Sequence, residues 1–92
     1  MLYRIFTEKT NVDLNPTINK YFDGYTIINA QGYWKGISEH SVIIEIVAPI
    51  DSDLLQLDEM DKKITLLAID IKYVNKQESV LIQTIEEGHL FV

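Results

Sequence analysis

Four short stretches hold the residues whose types could do chemistry. The first is Gly32-Tyr33-Trp34-Lys35-Gly36, which spends the chain's one tryptophan beside a tyrosine and a lysine, between two glycines. Trp and Tyr rings form a stacking surface suited to a nucleobase, and Lys suits a phosphate or carboxylate. Flanking glycines let backbone approach a ligand closely. The structural alternative is a packed hairpin end with the lysine in solvent.

Glu39-His40 is the second stretch. His40 is a residue type suited to acid–base work, but neighbours on a strand point to opposite faces, so Glu39 and His40 cannot act as a contacting pair there. A solvated turn is the structural reading for His40 and for the other histidine, His89. The third is Gln77-Glu78-Ser79, where Gln77 and Glu78 could hydrogen-bond a ligand's polar edges or cap and bridge backbone amides. The fourth is Arg4, an arginine in a β-rich run, placed either at a sheet edge or against an anionic partner. No nucleophile–base pair with catalytic spacing, Walker loop or GxGxxG fingerprint occurs, so no catalytic residue is assigned. The absence of cysteine excludes disulfides and thiolate metal sites. With two histidines a metal site is not expected, and no cofactor is assigned.

The elements that must position these residues follow from patterning. Leu2–Glu8 is β-rich and reads as a first strand. Asn15-Pro16 reads as an N-cap followed by proline at the first helical position. A short helix then runs to about Phe22, stopped by Asp23-Gly24 with glycine in a left-handed end. Tyr25–Gln31 and Ser41–Ala48 read as two strands joined by a long hairpin end, because no Asn-Gly or Asp-Gly marks a tight turn. Asp51-Ser52-Asp53 opens a long helix whose apolar stripe is Leu57, Met60, Ile64, Leu67, Ile71 and Val74. Asp58, Glu59, Asp61, Lys62, Asp70 and Lys72 take its solvent face, and Asn75-Lys76 ends it. Glu78–Ile85 reads as a fourth strand, Glu86-Glu87-Gly88 as a turn, and Leu90-Phe91-Val92 as an edge strand.

This order is βαββαβ, an α+β, ferredoxin-like single domain over residues 1–92, with two helices on one face of a four-stranded antiparallel sheet. The other face of such a sheet should be polar in a monomer. Here Ile43, Glu45 and Val47 back Val42, Ile44 and Ile46; Ile28 and Ala30 back Tyr25 and Ile27; and Leu81 and Ile85 back Val80 and Ile82. A sheet apolar on both faces needs two covers and the helices supply one, so a second copy is expected on the open face, giving a dimer or higher homo-oligomer. Its own tail or loops are the alternative cover.

At 92 residues and 47% hydrophobic, the chain suffices for one core. A net charge of −6 argues against a duplex nucleic-acid binder, which needs a basic face. A small anionic or aromatic ligand stays compatible, since two or three local donors can hold one. No stretch has the roughly twenty apolar residues of a membrane span and no signal-peptide pattern opens the chain, so the expected location is cytoplasmic.

Phe22-Asp23-Gly24-Tyr25-Thr26-Ile27, then Gly32-Tyr33-Trp34-Lys35-Gly36 with Glu39 and Ser41, then Gln77-Glu78-Ser79-Val80 after a long helix, resembles a group of small uncharacterised bacterial and phage proteins. The resemblance spans residues 21–82. It implies a ferredoxin-like fold, loosely similar to the trimeric PII and CutA proteins, which bind ligands in clefts between subunits. The long basic loop of PII is missing, so its mode of nucleotide binding is not implied. By analogy of size and assembly with phage proteins that sequester nucleotide immune signals, the expected function is a non-enzymatic, homo-oligomeric binder of a nucleotide-derived signal. Tyr33 and Trp34 would stack on the base, Lys35 and Arg4 would meet phosphate, and Gln77 and Glu78 would bond polar edges. The alternatives are a small enzyme acting on such a ligand through Glu39, His40 or Glu78, and a protein-interaction module using the open sheet face.

Overall fold

The computed structural model describes residues 1–49 and 52–86. Asp51, the Glu87-Gly88 turn, His89 and the expected edge strand Leu90-Phe91-Val92 lie outside them. Strand β1 spans Leu2–Glu8, helix α1 Asn15–Asn19, β2 Thr26–Trp34, β3 Ile37–Val47, helix α2 Leu54–Val74 and β4 Leu81–Ile85. The strands form one antiparallel sheet in the order β2-β3-β1-β4, with β1 and β3 central. This is the βαββαβ ferredoxin-like arrangement that the pattern predicts.

Helix α2 forms because its ends and its stripe agree. Asp53 accepts from the Gln56 backbone N–H at 2.8 Å and the Gln56 side chain accepts from the Asp53 N–H at 2.9 Å, a reciprocal capping box. Ile64, Leu67, Ala68 and Ile71 are buried, while Leu57 and Met60 pack partly against the core. Val74, the last residue of the expected stripe, is partly exposed. Asn75 caps the C-terminus, and Lys76, at φ 54°, turns the chain back toward the sheet.

Three local expectations are corrected. Helix α1 ends at Asn19, and Gly24 has no left-handed φ, so Asp23-Gly24 is not a helix stop. Asn15 is not its N-cap: Leu14 is, and Asp13 Oδ1 instead accepts from the Asn15 backbone and side-chain N–H groups at 3.0 and 2.8 Å. The hairpin has no long end. Lys35 and Gly36, at φ 51° and 78°, are the whole turn, the positive-φ pair of a type I′ connection. Gly36 supplies the left-handed conformation at no steric cost, and Lys35 adopts it against its preference.

The register sorts the side chains. On the helix side, Ile82, Ile5, Ile44 and Ile27 make one row across all four strands, and Ile5 and Ile44 are fully buried among Leu14, Ile18, Ile64, Leu67 and Ile71. On the open side, Leu81, Phe6, Ile43 and Ile28 form an apolar row, Gln83, Arg4, Glu45 and Thr26 a polar row, and Ile85, Leu2 and Val47 a second apolar row. Leu81 and Val47 are each 63% exposed, so the far apolar face expected from the sequence is present and bare. Strand β1 ends opposite Ser41, so beyond that point β2 and β3 pair only with each other in an exposed two-stranded arm.

Candidate functional site

The arm places the aromatic pair. Tyr33 pairs with Ser38 and Trp34 with Ile37, which puts Tyr33 on the helix side and Trp34 on the open side. They are 71% and 68% exposed. Trp34 therefore contributes nothing to this chain's own core, and the packed-hairpin alternative fails within one chain. Lys35 Nζ sits 5.8 Å from the centre of the Trp34 ring, within cation–π reach. Glu39 and His40 lie on strand β3, not in a turn, and face opposite sides as alternation requires. His40 shares a polar hollow with Lys9, Thr10 and Asn11, and the Lys9 amide donates to the His40 carbonyl at 3.2 Å.

Arg4 is neither at an edge nor free. Its Nε donates to Glu45 Oε2 at 2.7 Å across the two central strands. Along β2, Trp34 is eight residues beyond Thr26, the residue level with Arg4, so the two are about 27 Å apart along the sheet at roughly 3.4 Å per residue. One chain thus separates Arg4 from the aromatic arm by more than a small ligand spans.

Gln77 belongs to a closed network. Thr7 Oγ1 and the Glu8 backbone N–H donate to its Oε1, the latter at 3.2 Å, and its Nε2 donates to the Ser79 carbonyl at 3.3 Å. Buried Asn75 donates to Thr7 Oγ1 at 2.9 Å, to the Glu8 carbonyl at 3.1 Å and to Gln77 Oε1 at 3.1 Å, and accepts from Thr10 Oγ1 at 2.9 Å. This ties the end of α2 to the end of β1. Gln77 spends its polar atoms on the fold, while Glu78, next along, is exposed at the mouth of a groove between α2 and β4.

That groove, about 240 Å³, has Ala68, Ile69, Val80 and Ile82 along its walls and Thr65, Lys72, Glu78 and Ser79 as its polar groups. The sequence pattern puts Lys72 on the helix's solvent face; its companions come together only when the chain after Lys76 folds back beside the helix. Two other residues of that face also have internal partners. Asp61 accepts from the Tyr3 hydroxyl at 2.7 Å and Asp70 from the Tyr21 hydroxyl. Burial of Tyr3, then its bond to Asp61, pushes the Tyr3 pKa up to about 12; the Tyr21 pKa is raised chiefly by its bond to Asp70. Among the described residues no group of three His, Cys, Asp or Glu side chains is arranged to hold a metal ion, and no helix is long and apolar enough to cross a membrane.

No protein-family model matches the chain, and no curated protein matches it. Among solved structures, it is similar to a phage SAM lyase in its apo state, with a TM-score of 0.62 and 18% identity, over 88% of this chain and 75% of that one. At that identity the likeness is one of fold.

Proposed function

We propose that this chain is a homo-oligomeric binder of a nucleoside-derived small molecule, of the kind a phage uses to counter host defence. The observation that carries this reading is the pairing of a bare apolar sheet face with an arm on which Tyr33 and Trp34 stay largely exposed. A second copy on the open face removes its apolar rows from water. The arm of one copy then reaches the body of the next, which overcomes the separation between Trp34 and Arg4. In the assembled site Trp34, on the open side, stacks on the base, while Tyr33, on the opposite side of the arm, packs away from that base. Lys35 meets an anionic group. Arg4, with N–H donors left over from Glu45, meets another, and Glu78 takes a polar edge beside Gln77. Because the similar solved structure is a SAM lyase, S-adenosylmethionine is the first ligand to test.

Calorimetry against S-adenosylmethionine, ATP, AMP and cyclic nucleotides tests the reading. If no member binds more tightly than about millimolar, near −4 kcal/mol, the proposal is abandoned.

The similar structure being that of an enzyme favours one second reading: the chain turns its ligand over, with Glu39, His40 or Glu78 in acid–base roles. Incubation followed by chromatography separates the two. Intact ligand recovered after denaturing the protein supports binding alone, whereas products that vanish in Glu78→Gln or His40→Ala support catalysis.

A further inference from the structure

We propose that the groove between α2 and β4 is a subsite for a free α-amino acid end, zwitterionic, with an unbranched apolar side chain. It deepens the function proposed above and rests on that reading, since the first ligand named there carries such an end.

The chain builds the groove by a reversal. Lys72 stands in the last turn of α2, Asn75 caps the helix, and Lys76 in the left-handed region turns the chain. The Gln77 amide then donates to the Lys72 carbonyl at 3.0 Å, so residues 78–80 run back beside the helix before entering β4. The Asn75–Thr7–Gln77 network holds this return segment, and Gln77 Nε2 holds the Ser79 carbonyl. A cation on the helix and an anion on the return segment thus face one cavity on a braced backbone.

Their charges are not spent on each other. Among the described residues the ion pairs are Arg4–Glu45 and Lys62–Asp58, and neither the Lys72 ammonium nor the Glu78 carboxylate makes a side-chain hydrogen bond. Opposite charges at one mouth, farther apart than contact distance, suit a ligand carrying both charges on groups attached to one carbon: Lys72 takes the carboxylate and Glu78 the ammonium. The Ser79 hydroxyl is a further polar group beside them, whereas the Thr65 hydroxyl is already donated to the Asp61 carbonyl at 2.8 Å. Ala68, Ile69, Val80 and Ile82 line the rest, so a slender apolar side chain replaces water there. A purely anionic ligand would leave Glu78 repelling it, and a purely cationic one would face Lys72.

The probes are L-methionine and L-norleucine, added to the full chain while its methyl resonances are followed. Millimolar binding is expected, with shifts confined to Ala68, Ile69, Val80 and Ile82. Lys72→Gln and Glu78→Gln should each weaken it about tenfold, equivalent to about 1.4 kcal/mol. L-methionine methyl ester, which lacks the carboxylate and carries only the ammonium charge, should lose affinity for the natural chain and regain part of it in Lys72→Gln. Adenosine binding should be unchanged in Lys72→Gln. Both side chains are exposed, so the variants should keep the natural circular dichroism. The proposal is overturned if L-methionine fails to bind at tens of millimolar, or if both variants bind it like the natural chain. If adenosine binds in either of those cases, only the subsite falls; if the whole nucleoside panel is silent as well, the functional reading falls with it.

Discussion

Arg4 Nε donates to Glu45 Oε2 at 2.7 Å between the two central strands, in the middle of a sheet face that is otherwise largely apolar. The pair divides that face into two apolar rows and is partly screened by them, with side chains 36% and 19% exposed. Replacing Glu45 by Ala should cost about 1 kcal/mol, more than a fully exposed pair and less than a buried one. In a covered face the same change strips the Arg4 charge of its partner inside the interface. Urea denaturation at several protein concentrations would then show a larger loss where the assembly is populated; a loss independent of concentration would mean the pair lies outside any interface.

Ile43 lies in the open-side apolar row between Phe6 and Ile28, half-buried and away from the helices. Ile43→Lys puts a charge where a second copy is proposed, while the core side of β3 is untouched. Light scattering should show the assembly reduced to monomer with circular dichroism preserved. A natural chain that already runs as a monomer would remove the basis for the assembly.

Tyr3 is buried and donates to Asp61, joining the sheet to α2. Its folded pKa of about 12 exceeds the ordinary 10.0, so the native state holds this proton more tightly than the unfolded chain. The stabilisation is fully present below pH 10 and is lost as pH rises toward 12, on the order of 2 kcal/mol across that window. Tyr21, raised in the same direction by Asp70, adds to the same trend. Denaturant midpoints at pH 9 and near pH 11.5 check this, and Tyr3→Phe should flatten the profile while costing about 1 kcal/mol at neutral pH.

Asn75 is buried and makes four hydrogen bonds to Thr7, Glu8, Thr10 and Gln77. Asn75→Leu removes them and leaves the Glu8 carbonyl and Thr10 hydroxyl short of partners, at about 2 kcal/mol. A chain of this size should melt roughly 8–15 °C lower. Because the network holds the return segment, amino acid affinity should fall in the same variant even at temperatures where it stays folded.

Lys35 occupies φ 51° in the two-residue turn, a conformation that asparagine tolerates better. Lys35→Asn should stabilise the hairpin by about 0.5–1 kcal/mol yet weaken nucleotide binding, so thermal melts and calorimetry should move in opposite directions. Parallel movement would show that Lys35 acts only through the turn.

Strand β1 carries its bounds in its composition: the apolar and aromatic run of 2–8 gives way to the polar residues 9–13, and the ladder stops at Glu8. The α2 stripe was equally plain, because a period of 3.6 over twenty-one residues has one solution. The two-faced sheet followed from alternation, and each pairing agrees with it. The hairpin end was not readable, because Lys-Gly is a weak turn signal. A strand pair that continues outward past β1 is favoured only once β3 has been aligned on β1, which brings Gly32, Tyr33 and Trp34 into the ladder.

Local chemistry and periodicity are properties of neighbouring residues, so the sequence by itself determined the element order, a long helix opening at residues 51–53, the apolar face of each element and the presence of an aromatic–lysine group near a turn. Partners distant in the chain are decided by register and by helix placement. Only the tertiary structure gave Arg4 to Glu45, Tyr3 to Asp61 and Gln77 to Thr7, and only it brought Lys72 and Glu78 to one cavity. The physical reason is reach: a side chain samples a few ångströms around its own backbone, and which groups fall within that radius is settled when strands align and the chain turns back on itself.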